Sequence, residues 1–319
     1  LALIWRGCIQ PDKLLWRMLS DGAQRFPVKF DLAVAYLEGA SAYYVADYVT
    51  ADRKCAFIHI DYESAGYTKE MDQGCWERFE RIFPISDEVK SHFLAVYPEY
   101  AFKLATLHNL IDQNAIRSRA EESGGFRDDY QGIRLLTVGR LTYQKAYDIA
   151  IDAMKLLKDS GYRARWYVLG EGDQRPVLEK KIAALGLEED FILLGAVVNP
   201  FPYYAQADLY IHATRFEGKS IAIQEAQTLG CAVIASDCNG NREQIEDGED
   251  GMLCELTPQA IADSVAELLK DEGKRMRLGQ AAAKKTTAQK EEIGKLLRVL
   301  TGRQDHGEKR TIDHHTGLQ

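Results

Sequence analysis

Ile133-Arg134-Leu135-Leu136-Thr137-Val138-Gly139-Arg140-Leu141-Thr142-Tyr143-Gln144-Lys145 is the stretch on which the fold turns. A short run rich in Leu, Ile, Val and Thr meets a glycine, and a helical pattern starts a few residues later. That order spells a strand, a tight turn and a helix. Gly139 permits the turn, and Arg140 and Lys145 set two cations beside a helix amino terminus. Charge-assisted bonds and the helix dipole would act there together on a diphosphate. A solvated pair of surface cations stands beside that reading, because most exposed Lys and Arg contribute little.

Working outward, the same unit repeats. Downstream, strands are expected at Ala164–Leu169, Phe191–Leu194, Leu209–His212, Ala232–Ser236 and Met252–Cys254. Helices are expected near Gln144–Asp159, Asp173–Leu185, Lys219–Leu229 and Pro258–Leu269. Ser220 and Gly230 stand where the cap residues of one helix belong. Upstream, the strand candidates are Asp31–Tyr36, Lys54–Ile60, Arg81–Ser86 and Leu104–Leu107, with helices near Ser41–Val49, Lys69–Phe79 and Asp87–Tyr97. Strands alternating with helices predict an α/β protein with parallel sheets covered on both faces.

The expected organisation has five parts: a partial Rossmann-like domain over 1–117, a linker over 118–131, a second Rossmann-like domain over 132–270, helices over 271–301 and a polar, disordered tail over 302–319. The first part lacks the opening strand and glycine turn of a complete doubly wound domain. The chain, which opens on Leu1, is therefore read as truncated at its amino end.

Composition narrows the function. With 319 residues, 46% of them hydrophobic, the chain is long enough for two globular domains. A net charge of -8 argues against general nucleic-acid binding, which favours a basic face. The six cysteines form no Cys-x-x-Cys pair, and Cys55 with His59 lacks a second ligand pair, so reduced thiols and no metal are expected. No apolar run reaches the roughly 20 residues needed to span a bilayer. Leu1–Gln10 lacks the pattern of a signal peptide. The expected location is cytoplasmic. The basic and aromatic stretch Pro11–Arg17 leaves room for peripheral contact at the inner face of a membrane.

Two further clusters follow strands. Gly170-Glu171-Gly172 is a partial Gly-x-Gly that serves equally well as a plain tight turn. Glu217-Gly218-Lys219-Ser220-Ile221 runs into a helix that carries Glu225. Carboxylates accept pairs of hydrogen bonds from vicinal hydroxyls, and a helix start offers free N–H groups to an anion. Two ordinary surface glutamates remain the competing reading.

In order and at these spacings, the segments together resemble glycosyltransferase family 4, of GT-B architecture. The matching pieces are Val138-Gly139-Arg140, Lys145, Gly170-Glu171-Gly172, Asn199-Pro200-Phe201-Pro202-Tyr203-Tyr204, Ala207-Asp208, Glu217-Gly218, Glu225-Ala226, Gly230, Asp237-Cys238 and Asp247-Gly248. Upstream, Tyr36-Leu37-Glu38-Gly39, Ile58-His59-Ile60-Asp61-Tyr62 and Ser86-Asp87-Glu88 add to it, so the resemblance reaches from Phe30 to about Leu269.

The resemblance implies transfer of a hexosyl group from a nucleotide diphosphate sugar, with retention of configuration and without a metal or other cofactor. Surface polysaccharide or glycolipid synthesis is the setting it suggests, with a carbohydrate or lipid-linked acceptor. Arg140 and Lys145 would hold the diphosphate, Glu225 the ribose, and Glu217 the sugar. Gly139, Gly170, Glu171 and the backbone of Gly218, Lys219, Ser220 and Ile221 would line the donor site. His59 would face the sugar across the cleft, and the base would lie between the turns after Leu169 and Leu194. Ala146 departs from the glycine usual after the lysine, and Ser220 from a frequent proline.

Two alternatives carry different expectations. A relative that binds sugar nucleotides without turnover follows if the first domain is incomplete. A nucleoside triphosphatase would use Ala213–Ser220 as a relaxed phosphate loop and Asp237 as its magnesium acid.

Overall fold

The computed structural model describes Trp16 and residues 20–62, 65–285 and 289–301. The expected tail over 302–319 and nearly all of Pro11–Arg17 lie outside these residues.

The described residues form two parallel sheets. The first has the order β1-β2-β3, with β1 at Lys29–Ala35, β2 at Thr50–Ile58 and β3 at Arg81–Pro84. The second has six strands: β4 (Ile133–Val138), β5 (Ala164–Leu169), β6 (Phe191–Gly195), β7 (Leu209–His212), β8 (Ala232–Ser236) and β9 (Met252–Cys254). Their order is β6-β5-β4-β7-β8-β9. From β4 the chain winds outward through β5 and β6, and from β7 it winds the other way through β8 and β9.

Alternation along these strands feeds two cores. Leu135, Trp166, Val168, Leu209, Ile211, Ala232 and Ile234 pack on one face, under the helices Tyr147–Asp159 (α5), Arg175–Ala184 (α6) and Pro258–Lys270 (α10). Leu136, Tyr167, Leu169, Tyr210, Val233 and Ala235 pack on the other, under Gln113–Ala120 (α4), Phe201–Gln206 (α7) and Ile221–Thr228 (α8). Sheet strands buried on both sides tolerate few polar residues, which is why they were legible as apolar runs.

The first sheet is flanked by Ala40–Tyr48 (α1), Lys69–Asp72 (α2) and Asp87–Val96 (α3). Here the expectations need three corrections. The helix over Lys69–Phe79 stops at Asp72, because Gln73 and Gly74 take left-handed conformations at φ 47 and 75. The break turns Asp72 inward, where it accepts bonds from Tyr43 (2.6 Å), Tyr62 (2.5 Å), Tyr97 (2.7 Å) and Trp76 Nε1 (3.1 Å). Four neutral donors satisfy a buried carboxylate that a straight helix would have left exposed. Leu104–Leu107 is no regular strand: it makes one bridge, Ile82 with Leu104, and bonds from Ala105 and Leu107 N–H to β3 carbonyls. Part of the polar stretch read as linker is instead helix α4, capped by Asp112 on the N–H groups of Asn114 and Ala115, both at 3.0 Å.

The run beyond Asp271 divides into Glu272–Ala283 (α11) and Gln289–Thr301 (α12), after the short Asn239–Arg242 (α9) earlier in the chain. Helix α12 returns to the first sheet, where Glu292 takes the His108 N–H at 2.9 Å and lies 3.1 Å from its Nδ1. No described helix is long and apolar enough to cross a membrane.

Candidate active site

Strand order reverses between β4 and β7, and open α/β sheets bind ligands beyond the carboxyl ends of strands at such a point. The segments singled out in the sequence leave β4, β5 and β7 at that end.

The turn after β4 is built against the turn after β5. Leu141 N–H donates to Glu171 O at 3.0 Å, and Gly139 N–H to Leu169 O at 2.9 Å. A Cβ on Gly170 would overlap the Gly139 carbonyl, and one on Gly172 the Leu141 carbonyl. The Gly-x-Gly therefore exists so that two backbones can touch, which is the tight-turn reading of that segment. Glu171 is exposed and pairs with Arg175 at 3.0 Å.

A left-handed Ala146, at φ 47, separates Lys145 from helix α5 and fixes the start of that helix three residues later than Gln144. Glycine, which the resemblance leads one to expect here, suits this conformation better. The following loop is sewn to the one after β7. Arg215 N–H reaches Gln144 O at 2.8 Å, Gln144 Nε2 reaches Phe216 O at 2.8 Å, and the Arg215 guanidinium grips Asp148 at 3.1 and 2.7 Å.

These ties bring Lys145 Nζ onto Glu217 Oε2 in an ion pair whose side chains are 15% and 13% exposed. His212 Nε2 lies 3.1 Å from the same oxygen. Burial alone raises the Glu217 carboxyl, but the Lys145 charge and the His212 hydrogen bond overcome it and hold the group at about 2. Glu225 behaves oppositely. Burial pushes it up, and the 3.1 Å bond from Tyr204 with the nearby Arg119 charge offsets this only in part.

The remaining candidates are more loosely held. Arg140 is exposed, and its guanidinium makes no ion pair among the described residues. Ser220 precedes α8 but its hydroxyl makes no cap bond, contrary to the expected cap, whereas Gly230 does take the left-handed conformation at φ 76. The first backbone bond of α8 is from Gln224 N–H to Ser220 O, so the N–H groups of Ile221, Ala222 and Ile223 have no acceptor within the helix. Burial lowers the pKa of Lys219, and the charges acting on it are Glu243, Glu292, Lys285 and Asp87.

Gly218 lies at the seam between the sheets. A Cβ there would come within 2.7 Å of the His59 carbonyl oxygen at the end of β2. His59 therefore does reach this crevice from the first sheet. Its ring is lowered in pKa by burial, countered by Glu38 and Asn109, and neither nitrogen has a partner of good geometry among the described residues. Sequence reasoning gives His212 and Tyr204 only structural roles and singles out neither Tyr210 nor Tyr147. Each proves to be hydrogen-bonded to a site element, Tyr147 to Gly139 O at 2.9 Å. A histidine closing an otherwise apolar strand five residues before a glutamate was the available signal.

The family model described as glycosyl transferases group 1 matches residues 119–285, just over half of the chain. The chain belongs to this family. Among relatives of this group 1 glycosyltransferase, an N-acetylgalactosaminyltransferase of Campylobacter jejuni named for a diphospho-undecaprenol substrate is 35% identical over 155 residues, 48% of this chain and 40% of the relative. The α-D-kanosaminyltransferase of Streptomyces kanamyceticus is 32% identical over 176 residues, 54% of this chain and 45% of the relative. The chain thus spans less than half the length of these curated relatives. The Anabaena protein HepE, solved in complex with UDP-glucose, superposes with a TM-score of 0.70 at 19% identity, covering 78% of this chain and 72% of that one. The fold is GT-B, with a helical carboxyl-terminal region. The phosphate-loop alternative finds no support, since Asp237 is held by Arg242 at 2.5 and 3.0 Å.

Proposed function

We propose that this glycosyltransferase moves a hexosyl group from a nucleoside diphosphate sugar to a carbohydrate or lipid-linked acceptor, retaining configuration and using side-chain cations in place of a metal. The observation that carries the reading is the Lys145–Glu217 pair at the strand-order reversal, beside the open first turn of α8. The diphosphate would lie along that turn, taking charge from Lys145 and from Arg140, which closes onto it from solvent. As the glycosidic bond to the β-phosphate breaks, the leaving oxygen gains charge and these cations stabilise it. The acceptor oxygen forms the new bond and its proton passes to the departing phosphate. Glu217 would accept hydroxyls of the sugar and Glu225 those of the ribose, with His59 across the seam. The relative named for a diphospho-undecaprenol substrate supports a lipid-linked acceptor in polysaccharide or glycolipid synthesis, which would place the chain at the cytoplasmic face of a membrane.

The test is nucleoside diphosphate release from UDP-glucose, UDP-N-acetylglucosamine and GDP-mannose in the presence of sugar and undecaprenyl-diphosphate-linked acceptors, with and without EDTA. Turnover of one donor, unaffected by EDTA and yielding the donor's own anomer, is expected. Loss of turnover in EDTA removes the metal-free mechanism, and no turnover with any donor removes the transfer reading.

A further inference from the structure

His212 closes β7 and is 1% exposed. Its Nδ1 lies 3.1 Å from the Tyr210 hydroxyl and its Nε2 3.1 Å from Glu217 Oε2. A neutral imidazole carries one N–H, and an ionised carboxylate can only accept. For a neutral ring both bonds are made in a single arrangement: the proton sits on Nε2 and points to Glu217, while Nδ1 accepts the one hydroxyl hydrogen of Tyr210 at 3.1 Å in preference to the Val138 carbonyl at 3.4 Å. Burial and the Lys145 charge disfavour a second proton on the ring and outweigh the Glu217 carboxylate, which favours it. Behind Tyr210 the Tyr204 ring packs with its centroid 5.3 Å away, and the Tyr204 hydroxyl donates to Glu225.

We propose that His212 is a positioning residue, held as the Nε2–H tautomer by Tyr210, which fixes Glu217 against Lys145 and leaves Glu217 Oε1 to receive a hydroxyl of the transferred sugar. This rests on the reading of Glu217 as the sugar-facing acid. Both protein bonds to Glu217 use Oε2, so the carboxylate is clamped on one oxygen and presented on the other. The titratable groups bearing on this arrangement are Lys145 from the turn after β4, Tyr147 from α5, Tyr204 from α7, Glu225 from α8 and Cys238 after β8. Lys145 alone brings a positive charge, and it favours the uncharged ring.

Imidazole nitrogen–proton correlation spectra of the 15N-labelled chain test the tautomer directly. The expected result is a His212 ring protonated at Nε2 only and unchanged from about pH 5 to 8, the range across which an ordinary histidine changes charge. An Nδ1–H ring, or a doubly protonated one near neutrality, overturns the proposal. His212→Gln keeps an N–H donor and His212→Leu removes it. The Glu217 carboxyl, followed by 13C, should titrate about one unit or more higher in the Leu variant and near wild type in the Gln variant. An unmoved Glu217 in a folded Leu variant also overturns it, and if that variant does not fold the wild-type tautomer decides. With UDP-glucose and UDP as probes, His212→Leu should lose about tenfold in affinity for the first and less than about twofold for the second, with rescue in the Gln variant. Equal losses for both probes contradict a sugar-facing role. Absence of binding to wild type counts against the proposed function alone, because the spectra still read the tautomer.

Discussion

The two cations of the crevice face opposite situations. Lys145 is enclosed, paired with Glu217 and backed by His212, whereas Arg140 stands in solvent five residues earlier with no ionic partner among the described residues. The same contrast separates the two acids, since Glu217 is held far below its ordinary value and Glu225 is pushed above it. The Lys145–Glu217 pair is part of the folded core, whereas Arg140 would meet its partner only in the proposed donor. Substitutions in the pair should therefore register in stability as well as function, and substitution of Arg140 in function only.

The largest expected effect tests the enclosed pair. Glu217→Ala leaves Lys145 buried without its partner, and breaking such a pair costs about 3 kcal/mol or more. Denaturant unfolding reads this as a lower midpoint at unchanged slope. A loss below about 0.5 kcal/mol, the usual surface value, would place the pair with ordinary exposed ion pairs and erase the contrast.

Acid unfolding sharpens it. A carboxyl held at about 2 in the folded chain, against an ordinary 4.5, contributes stability that is complete above the ordinary value and disappears as pH falls through the folded one. The window is thus pH 4.5 down to about 2, and the contribution is on the order of 3 kcal/mol. Glu225 has the opposite sign, as its raised pKa makes ionisation costly when pH climbs past the ordinary range. Glu217→Gln should flatten the acid limb of stability against pH, and Glu225→Gln should not.

Arg140→Ala probes the exposed cation. Turnover should fall about a hundredfold, the scale of one lost transition-state cation or donor, while unfolding free energy stays within about 0.5 kcal/mol. A matching loss of stability would show that Arg140 is held by the fold after all.

The smallest effect concerns the turn between Lys145 and α5. Ala146 is left-handed and fully buried, so Ala146→Gly exchanges backbone strain for a lost methyl contact and should change stability by less than about 0.5 kcal/mol. Ala150→Gly, one helical turn on in α5, should cost about 1 kcal/mol by helix propensity alone. Equal costs at both positions would deny that the turn is strained.

Legibility follows the same division. The strands of the second sheet stood in the sequence nearly residue for residue, because burial on both faces forces continuous apolar runs. The first sheet was less readable. The break at Gln73 turns Asp72 toward the distant phenols of Tyr43 and Tyr97, and no local pattern encodes those partners. At the site, Lys145, Glu217 and Glu225 could be named from motif spacing, and Gly218 was named too, although its approach to the His59 carbonyl belongs to tertiary packing. The polar roles of His212, Tyr210 and Tyr204 went unread because a buried ring beside apolar neighbours resembles packing until its hydrogen-bond partners are known. Lys219 was grouped with the donor loop by its place in the chain, yet the charges that act on its ammonium are Glu243, Glu292, Lys285 and Asp87.

The central claim is that this crevice holds a sugar joined to a nucleoside diphosphate. Calorimetric titration of the chain with UDP, GDP and ADP tests it most directly, with Glu225→Ala measured alongside. The account predicts one-to-one binding of at least one of the three and a loss of about tenfold or more in the variant, the scale of a buried charged hydrogen-bond partner. Failure of all three to bind at millimolar concentration, or equal affinity in wild type and Glu225→Ala, would contradict it.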